Sequence, residues 1–201
     1  MKISILDRIL LLLTSLLAAW QIAIGIDTLS TLPIVAYTVG FGVLLVASLL
    51  LLILGLEVLD SPLVVIASTI IPLSLSLGLV WEQLLAFRTL YLAFVIAGFL
   101  AIVITRSITM KNKLPLILLA CIHGVAGMII FLLPIIEAMQ AVSQPAFALV
   151  GVGGALIGIG GLLLLFLRAG KPLISREVLF RLLPGLLLLM TAAFVAGFSA
   201  A

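Results

Sequence analysis

Seven apolar runs, each long enough to cross a lipid bilayer, dominate the chain and set what it can fold into. A membrane-spanning helix needs about 20 predominantly apolar residues. Charged residues or prolines separate the runs, and we predict helices over residues 9–26, 34–56, 62–81, 84–105, 114–136, 146–167 and 179–198. The predicted fold is an all-α integral membrane protein, a bundle of seven transmembrane helices forming a single transmembrane domain over residues 1–201.

The scarcity of charge excludes a soluble globule. Only 8% of the residues are Asp, Glu, Lys or Arg, whereas an ordinary soluble domain has about 25%. The first run is longer than the apolar core of a signal peptide and lacks a following small-x-small cleavage site, so we expect an uncleaved helix. Because the chain has one cysteine, Cys121, an intrachain disulfide is excluded.

The basic residues predict how the bundle is oriented. With seven spans, nine of the ten Lys and Arg residues fall on the side of the N-terminus, and Arg88 falls on the other side. Short cytoplasmic loops are enriched in Lys and Arg. We therefore expect a cytoplasmic N-terminus and an external C-terminus, in a cell membrane that is the cytoplasmic membrane if the source is prokaryotic. The nine are Lys2, Arg8, Arg106, Lys111, Lys113, Arg168, Lys171, Arg176 and Arg181.

An internal repeat is suggested by similar features in the two halves of the chain. Pro33 precedes Val39-Gly40-Phe41-Gly42, as Pro145 precedes Val150-Gly151-Val152-Gly153. Such repeats are common in transporters. The predicted units cover residues 9–81 and 114–198 in the same orientation, joined by a linker helix over 84–105, a parallel 3+1+3 plan. The alternative is that leucine-rich membrane helices match one another by composition alone.

His123 is the only ionisable residue near the middle of a predicted span. Intramembrane ionisable residues often mark functional sites, and an imidazole is able to relay a proton or to ligate the metal of a pigment or haem. Alternatively, a neutral His123 hydrogen-bonds to a neighbouring helix, for example to Gln21. We expect no cofactor and no metal, because one histidine cannot supply two haem ligands and zinc needs three or four protein ligands.

The third run carries polar residues beside a helix-breaking proline. Ser68, Pro72 and Ser76 recur every four residues and share one helix face, with Thr69 adjacent. Broken helices lined by polar groups form binding sites at the bilayer midplane in transporters. We therefore predict a substrate site that includes Gln21, Ser68, Thr69, Ser76 and His123. Alternatively, the hydroxyls only satisfy backbone groups at the kink.

Glycines line one face of the sixth run. Gly151, Gly154, Gly158 and Gly161 form a stripe, and Gly154-xxx-Gly158 is the small-xxx-small pattern that allows close helix approach. The stripe predicts helix packing. The partner helix belongs either to the same chain or to a second copy or another membrane subunit.

Glu82 and Arg88 flank the predicted turn between the third and fourth spans. They are candidates for a gate or an interface, with Arg88 pairing with Glu82 or Glu137. Alternatively, Arg88 extends its charged head into the interfacial region, as long basic side chains do near helix ends.

Two functions remain open from the sequence. One is a small-solute transporter or facilitator with its site near the kinked third and seventh helices, which predicts a polar cavity around Pro72. The other is a non-catalytic structural or accessory subunit of a larger membrane complex, which predicts a filled core and an exposed Gly154/Gly158 face. We expect no enzyme activity, because no carboxylate accompanies His123 at the midplane. We also expect no nucleic-acid binding, since no basic run with aromatics is present.

Overall fold

The computed structural model describes residues 3–26, 29–108 and 112–199. Those residues form seven long apolar helices and no strand, which confirms the predicted all-α architecture of seven membrane-spanning segments. The helices are α1 Ile5–Ile24, α2 Thr31–Leu54, α3 Pro62–Gln83, α4 Arg88–Ser107, α5 Leu114–Met139, α6 Ala148–Arg168 and α7 Arg176–Phe198. Short 3₁₀ turns at Leu56–Asp60, Leu85–Phe87 and Pro145–Phe147 connect some of them.

Local capping explains where two helices begin. α1 starts four residues before the predicted position, because Ser4 accepts a hydrogen bond from the Asp7 backbone while the Asp7 carboxylate accepts one from the Ser4 backbone. This capping box satisfies two backbone N–H groups at the helix start. α7 begins at Arg176, because the Ser175 side chain caps the N–H of Val178. At the end of α6, Gly170 has the left-handed φ of 72° expected for a C-cap glycine.

Six of the helices close into a ring. Following the packing contacts, the order around it is α1, α2, α3, α5, α6, α7 and back to α1, and α4 lies outside it against α3 and α5. All six ring helices or their flanking turns contribute to one buried apolar cluster, which includes Ala18, Phe41, Leu75, Ile130, Val150 and Phe194. The centre of the ring is therefore filled with side chains.

Glycines bring α6 close to both of its neighbours. A Cβ at Gly154 would lie 2.9 Å from backbone atoms of Ile130 on α5, and a Cβ at Gly153 would lie 2.5 Å from the Phe194 ring on α7. Gly151 also faces α5, and Gly160 faces Leu186 of α7. Gly158 and Gly161 face open space. The predicted stripe is thus split, since its first half packs within the chain and its second half packs against none of the described residues.

The helix ends define two faces of the bundle. The N-terminal face holds the start of α1, the 3₁₀ turn after α2, the end of α4 and the turn between α6 and α7; the C-terminal face holds the opposite helix ends. On the N-terminal face, Arg176 pairs with Asp60 at 2.5 Å and Arg168 donates to the Leu59 carbonyl. Lys2, Lys111 and Asp27, which the charge pattern places at these faces, lie outside the described residues.

Candidate functional site

The predicted hydroxyl cluster on α3 is turned toward its own helix. Ser68 and Thr69 both donate to the Val65 carbonyl, at 3.0 and 2.7 Å, and Ser76 donates to the Pro72 carbonyl at 2.6 Å. Such bonds to a carbonyl one turn back are a common way for Ser and Thr to satisfy themselves in a helix. None of these three donors is left free for a ligand.

Ser76 is also tied to α4. The Tyr91 hydroxyl donates to Ser76 Oγ at 2.8 Å, and both residues are buried. Since α4 lies outside the ring, this contact directs Ser76 away from the ring centre. The face that reaches the central cluster instead carries Ile71, Leu75 and Leu79.

The structure does not bring Gln21 and His123 together. Gln21 donates to the Gly25 carbonyl at the end of α1, and His123 Nδ1 contacts the Leu119 carbonyl on α5 at 3.1 Å. α1 packs on α2 and α7, whereas α5 packs on α3, α4 and α6. The pairing of His123 with Gln21 suggested by the sequence is therefore not formed.

Glu82 and Arg88 do not pair with each other. Glu82 Oε1 accepts two hydrogen bonds from Ser30, from the backbone N–H at 3.0 Å and from Oγ at 2.6 Å, and so links the end of α3 to the start of α2. Arg88 Nε donates to the Trp81 carbonyl, and its guanidinium lies 5.4 Å from the Trp81 ring centre. Arg88 is thus held at its own turn, as an interfacial residue is.

A cleft lies at the C-terminal face, between α2, α3, the α5–α6 connection and the end of α7. Its volume is about 480 Å³. Six of the side chains that line it are Tyr37, Glu82, Gln83, Ser143, Phe147 and Phe198. We call it the C-terminal cleft. It contains one of the predicted site residues, Glu82, and does not reach Pro72.

Three aromatic rings form the floor of the C-terminal cleft, and we call Tyr37, Phe147 and Phe198 the aromatic floor. The Phe198 ring lies 4.5 Å from that of Tyr37 and 6.3 Å from that of Phe147 between centres. Tyr37 also packs on Gly78, where any side chain would collide with its ring. Behind the floor, Phe41 and Phe194 continue the aromatic packing into the ring centre.

Three buried side-chain atoms near the C-terminal face have no hydrogen-bond partner among the described residues: Glu137 Oε2, Gln21 Oε1 and Ser143 Oγ, which lines the cleft. Glu137, only 6% exposed, has a buried Oε2 without a donor, and Gln21, 3% exposed, has a buried Oε1 without one. Gln21 and Tyr37 line a second cavity of about 10 Å³, which is the space of one water molecule. Unpaired buried polar atoms are costly, so this end of the bundle is polar below its surface.

Little in the sequence indicates the C-terminal cleft. Its lining comes from five separate segments, none of which carries a local motif. The available signals were two acidic residues, Glu82 and Glu137, at helix ends on the same predicted side, together with Tyr37 inside an otherwise apolar run. Gly153 and Gly160, through which α6 packs against α7, are seven residues apart in the sequence. This spacing indicates a second packing face on α6.

The fold defines the class of this protein as a multi-pass α-helical membrane protein. Its seven helices are each at least 20 residues long, and their mean hydropathy lies between 1.7 and 2.7. No protein-family model, curated protein or solved structure matches the chain. Functional inference therefore depends on the geometry of the chain itself.

Proposed function

We propose that this protein is a small-solute transporter or facilitator whose solute enters through the C-terminal cleft. The observation that carries the proposal is the cleft itself, a depression at one end of a closed six-helix ring that is lined by both polar and apolar side chains. Its volume of about 480 Å³ lies within the range of small-molecule sites, roughly 300–1,000 Å³. We therefore propose a site at the end of the ring instead of around Pro72, where the sequence suggested it.

The order of helices around the ring supports the proposal. If residues 9–81 and 114–198 are related units, α1 of the first unit corresponds to α5 of the second, and α3 corresponds to α7. The contact between α1 and α7 then corresponds to the contact between α5 and α3. Both contacts are present, and both close the ring. Transporters built from parallel repeats bind their substrate between the two units.

The path from the cleft toward the ring centre would run past Tyr37. This residue lines both the C-terminal cleft and the small cavity that contains Gln21. Movement of the aromatic floor would connect the two spaces, and the unpaired Oε1 of Gln21 would then accept a hydrogen bond from a solute or its water. Of the predicted site residues, Gln21 and Glu82 fit this path. Ser68, Thr69, Ser76 and His123 do not lie on it.

The charge pattern supports an orientation for transport. Among the described residues, Arg88 is the basic residue at the C-terminal face. Basic residues at or near the N-terminal face include Arg106, Lys113, Arg168 and Arg176. By the positive-inside rule the N-terminal face is cytoplasmic. The cleft would then open to the external side.

Uptake into proteoliposomes tests the proposal. The purified chain is reconstituted and offered a panel of radiolabelled solutes, namely an amino acid, a sugar, a polyol, a carboxylate and choline. We expect saturable uptake of at least one class above the rate of protein-free liposomes. Uptake at the protein-free rate for every class, by protein that remains folded and monodisperse, contradicts a transport function.

A second candidate is an accessory subunit of a larger membrane complex. It is favoured by the side chains that fill the centre of the ring, as this candidate predicts. Gly158 and Gly161 on α6 also face open space and would admit a closely packed helix, whereas Gly154, predicted to be exposed with Gly158, packs within the chain. Mass measurement after extraction in a mild detergent separates the candidates. Stoichiometric co-purifying subunits would support this one, and a monomer or homodimer would count against it.

A further inference from the structure

The charge of the C-terminal cleft points to the sign of its ligand. Among its lining side chains, Glu82 is charged and none is basic. Glu82 Oε1 accepts two hydrogen bonds from Ser30, which fix the carboxylate, while Oε2 makes no hydrogen bond with the described residues and is not sealed from solvent. The nearest described basic side chain on this face, Arg88, is directed to Trp81 instead. A carboxylate oxygen therefore remains available at the cleft.

A second acidic side chain lies near the cleft. Glu137 is in the last turn of α5, just before the segment 141–144 that lines the cleft, and its buried Oε2 has no hydrogen-bond donor among the described residues. A buried carboxylate oxygen without a partner is unfavourable. Glu137 is not among the lining side chains, so the charge that faces the cleft is that of Glu82.

The aromatic floor favours one kind of cation, although each of its residues is only 3–4% exposed and a ligand reaches a ring face only if the floor moves. Aromatic faces attract ammonium groups within about 6 Å of the ring centre, and cages of such rings recognise quaternary ammonium ligands. The cleft is far larger than a single metal ion requires, and no group of three or more His, Cys, Asp or Glu side chains in the described ranges is arranged to hold one. An organic ammonium ion fits both the size and the lining.

We propose that the C-terminal cleft binds a small organic cation, with an ammonium group held between the Glu82 carboxylate and the aromatic floor. This inference rests on the proposed function in taking the cleft as the entrance for solute, and it names the class of that solute. The apolar parts of the ligand would lie against Phe147 and Phe198, and Gln83 and Ser143 offer hydrogen-bonding groups at the rim.

Calorimetric binding to the full chain in mild detergent tests the inference. The probes are choline and 3,3-dimethylbutan-1-ol, which has the same shape without the charge. We expect choline to bind at least tenfold more tightly than the neutral alcohol, because only the cation gains from the carboxylate and the rings. Equal affinities for the two probes would overturn the inference.

Two variants locate the site, each with a matched control. Glu82→Gln retains an oxygen for Ser30 but removes the charge, and should weaken choline binding at least tenfold, whereas Glu177→Gln on the opposite face should not.

Val142→Lys places a cation in the cleft at an exposed position, and should also abolish choline binding. Met139→Lys, exposed on the same face but outside the cleft lining, should leave it intact. Unchanged choline binding in folded Glu82→Gln and Val142→Lys proteins would overturn the assignment.

The transport and binding results separate the two proposals. Uptake of a neutral solute without choline binding would refute the cation site and leave transport standing. Choline binding that is lost in Glu82→Gln, without uptake of any solute, would support the cation site and refute the transport function.

Discussion

At the N-terminal face, arginines reach from one helix end to another, whereas at the C-terminal face the helix ends leave a cleft. Arg168 and Arg176 bind groups on the turn after α2, and so join two segments more than 100 residues apart. On the other face, Glu82 joins α2 to α3 and the remaining space stays open. The two ends of the ring therefore differ in whether the helix ends are linked or leave space between them.

The interior differs along the same axis. Toward the C-terminal face, α6 is in backbone-close contact with α5 and α7 through Gly151, Gly153 and Gly154. Toward the N-terminal face, a Cβ at Gly158 or Gly161 would meet nothing within 4 Å, although one at Gly160 would lie 2.5 Å from Leu186 of α7. The contact between α5 and α6 is therefore closest in the half of α6 nearer the aromatic floor.

The largest expected effect comes from removing the centre of the aromatic floor. Phe198→Ala should lower the free energy of unfolding by about 3 kcal/mol, the low end for buried Phe→Ala, because burial from water contributes little within lipid. Phe180, equally buried on α7 near the N-terminal face, is the matched control. Thermal unfolding in detergent should show similar losses for Phe198→Ala and Phe180→Ala. Only Phe198→Ala should change choline binding, and a change in both would remove the distinction between the two ends.

A smaller effect should separate the two halves of α6. Gly154→Ala places a methyl group 2.9 Å from the backbone of α5, whereas Gly158→Ala meets nothing. Both variants gain the same helix propensity, so their difference isolates the packing cost, about 1–3 kcal/mol. Unfolding midpoints of the two variants measure it. Equal midpoints would mean that α5 and α6 are not in close contact.

A still smaller loss is expected from Ser76→Ala. This change leaves the buried Tyr91 hydroxyl without its acceptor, at a cost of about 1–2 kcal/mol. Adding Tyr91→Phe should recover part of the loss, since the unpaired hydroxyl is then gone. Solute uptake per folded molecule should not change. A loss of uptake with unaltered stability would restore Ser76 to the solute site.

The smallest effect concerns the exposed ion pair of the N-terminal face. The Asp60 and Arg176 side chains are more than half exposed, at 59% and 51%. Exposed pairs contribute about 0.2–1 kcal/mol and weaken with salt. Asp60→Asn should therefore lower the unfolding midpoint slightly at low ionic strength and not at high ionic strength. A large loss that is independent of salt would show that this face depends on Asp60 in another way.

The sequence predicts the helices better than it predicts the site, for a physical reason. A run of apolar residues is sufficient to identify a span, because an unpaired backbone cannot lie in lipid. Its ends are less certain, since α1 extends beyond its predicted start through the capping box of Ser4 and Asp7. The orientation of the bundle and the relation of its two halves stay predictions.

The site depends on which face of each helix points into the ring, and that is set by distant partners. From the sequence, Ser76 is predicted to be a polar group beside a kink, but a hydrogen bond from Tyr91 directs its side chain toward α4. His123 reads as an isolated midplane imidazole, yet it contacts the Leu119 carbonyl of its own helix. The C-terminal cleft has no counterpart in any single stretch of sequence, because Tyr37, Glu82 and Phe198 meet only after the ring closes.

The most direct test is whether solute passes through the C-terminal cleft. In a Cys121→Ser background, a single cysteine is placed at Val142, which lines the cleft, or at Met139, which is exposed beside it. Each protein is reconstituted, and choline uptake is measured before and after reaction with a bulky membrane-impermeant maleimide. We expect uptake to stop after modification at position 142 and to continue after modification at position 139. Uptake that continues unchanged after complete modification at position 142 would contradict entry through the cleft.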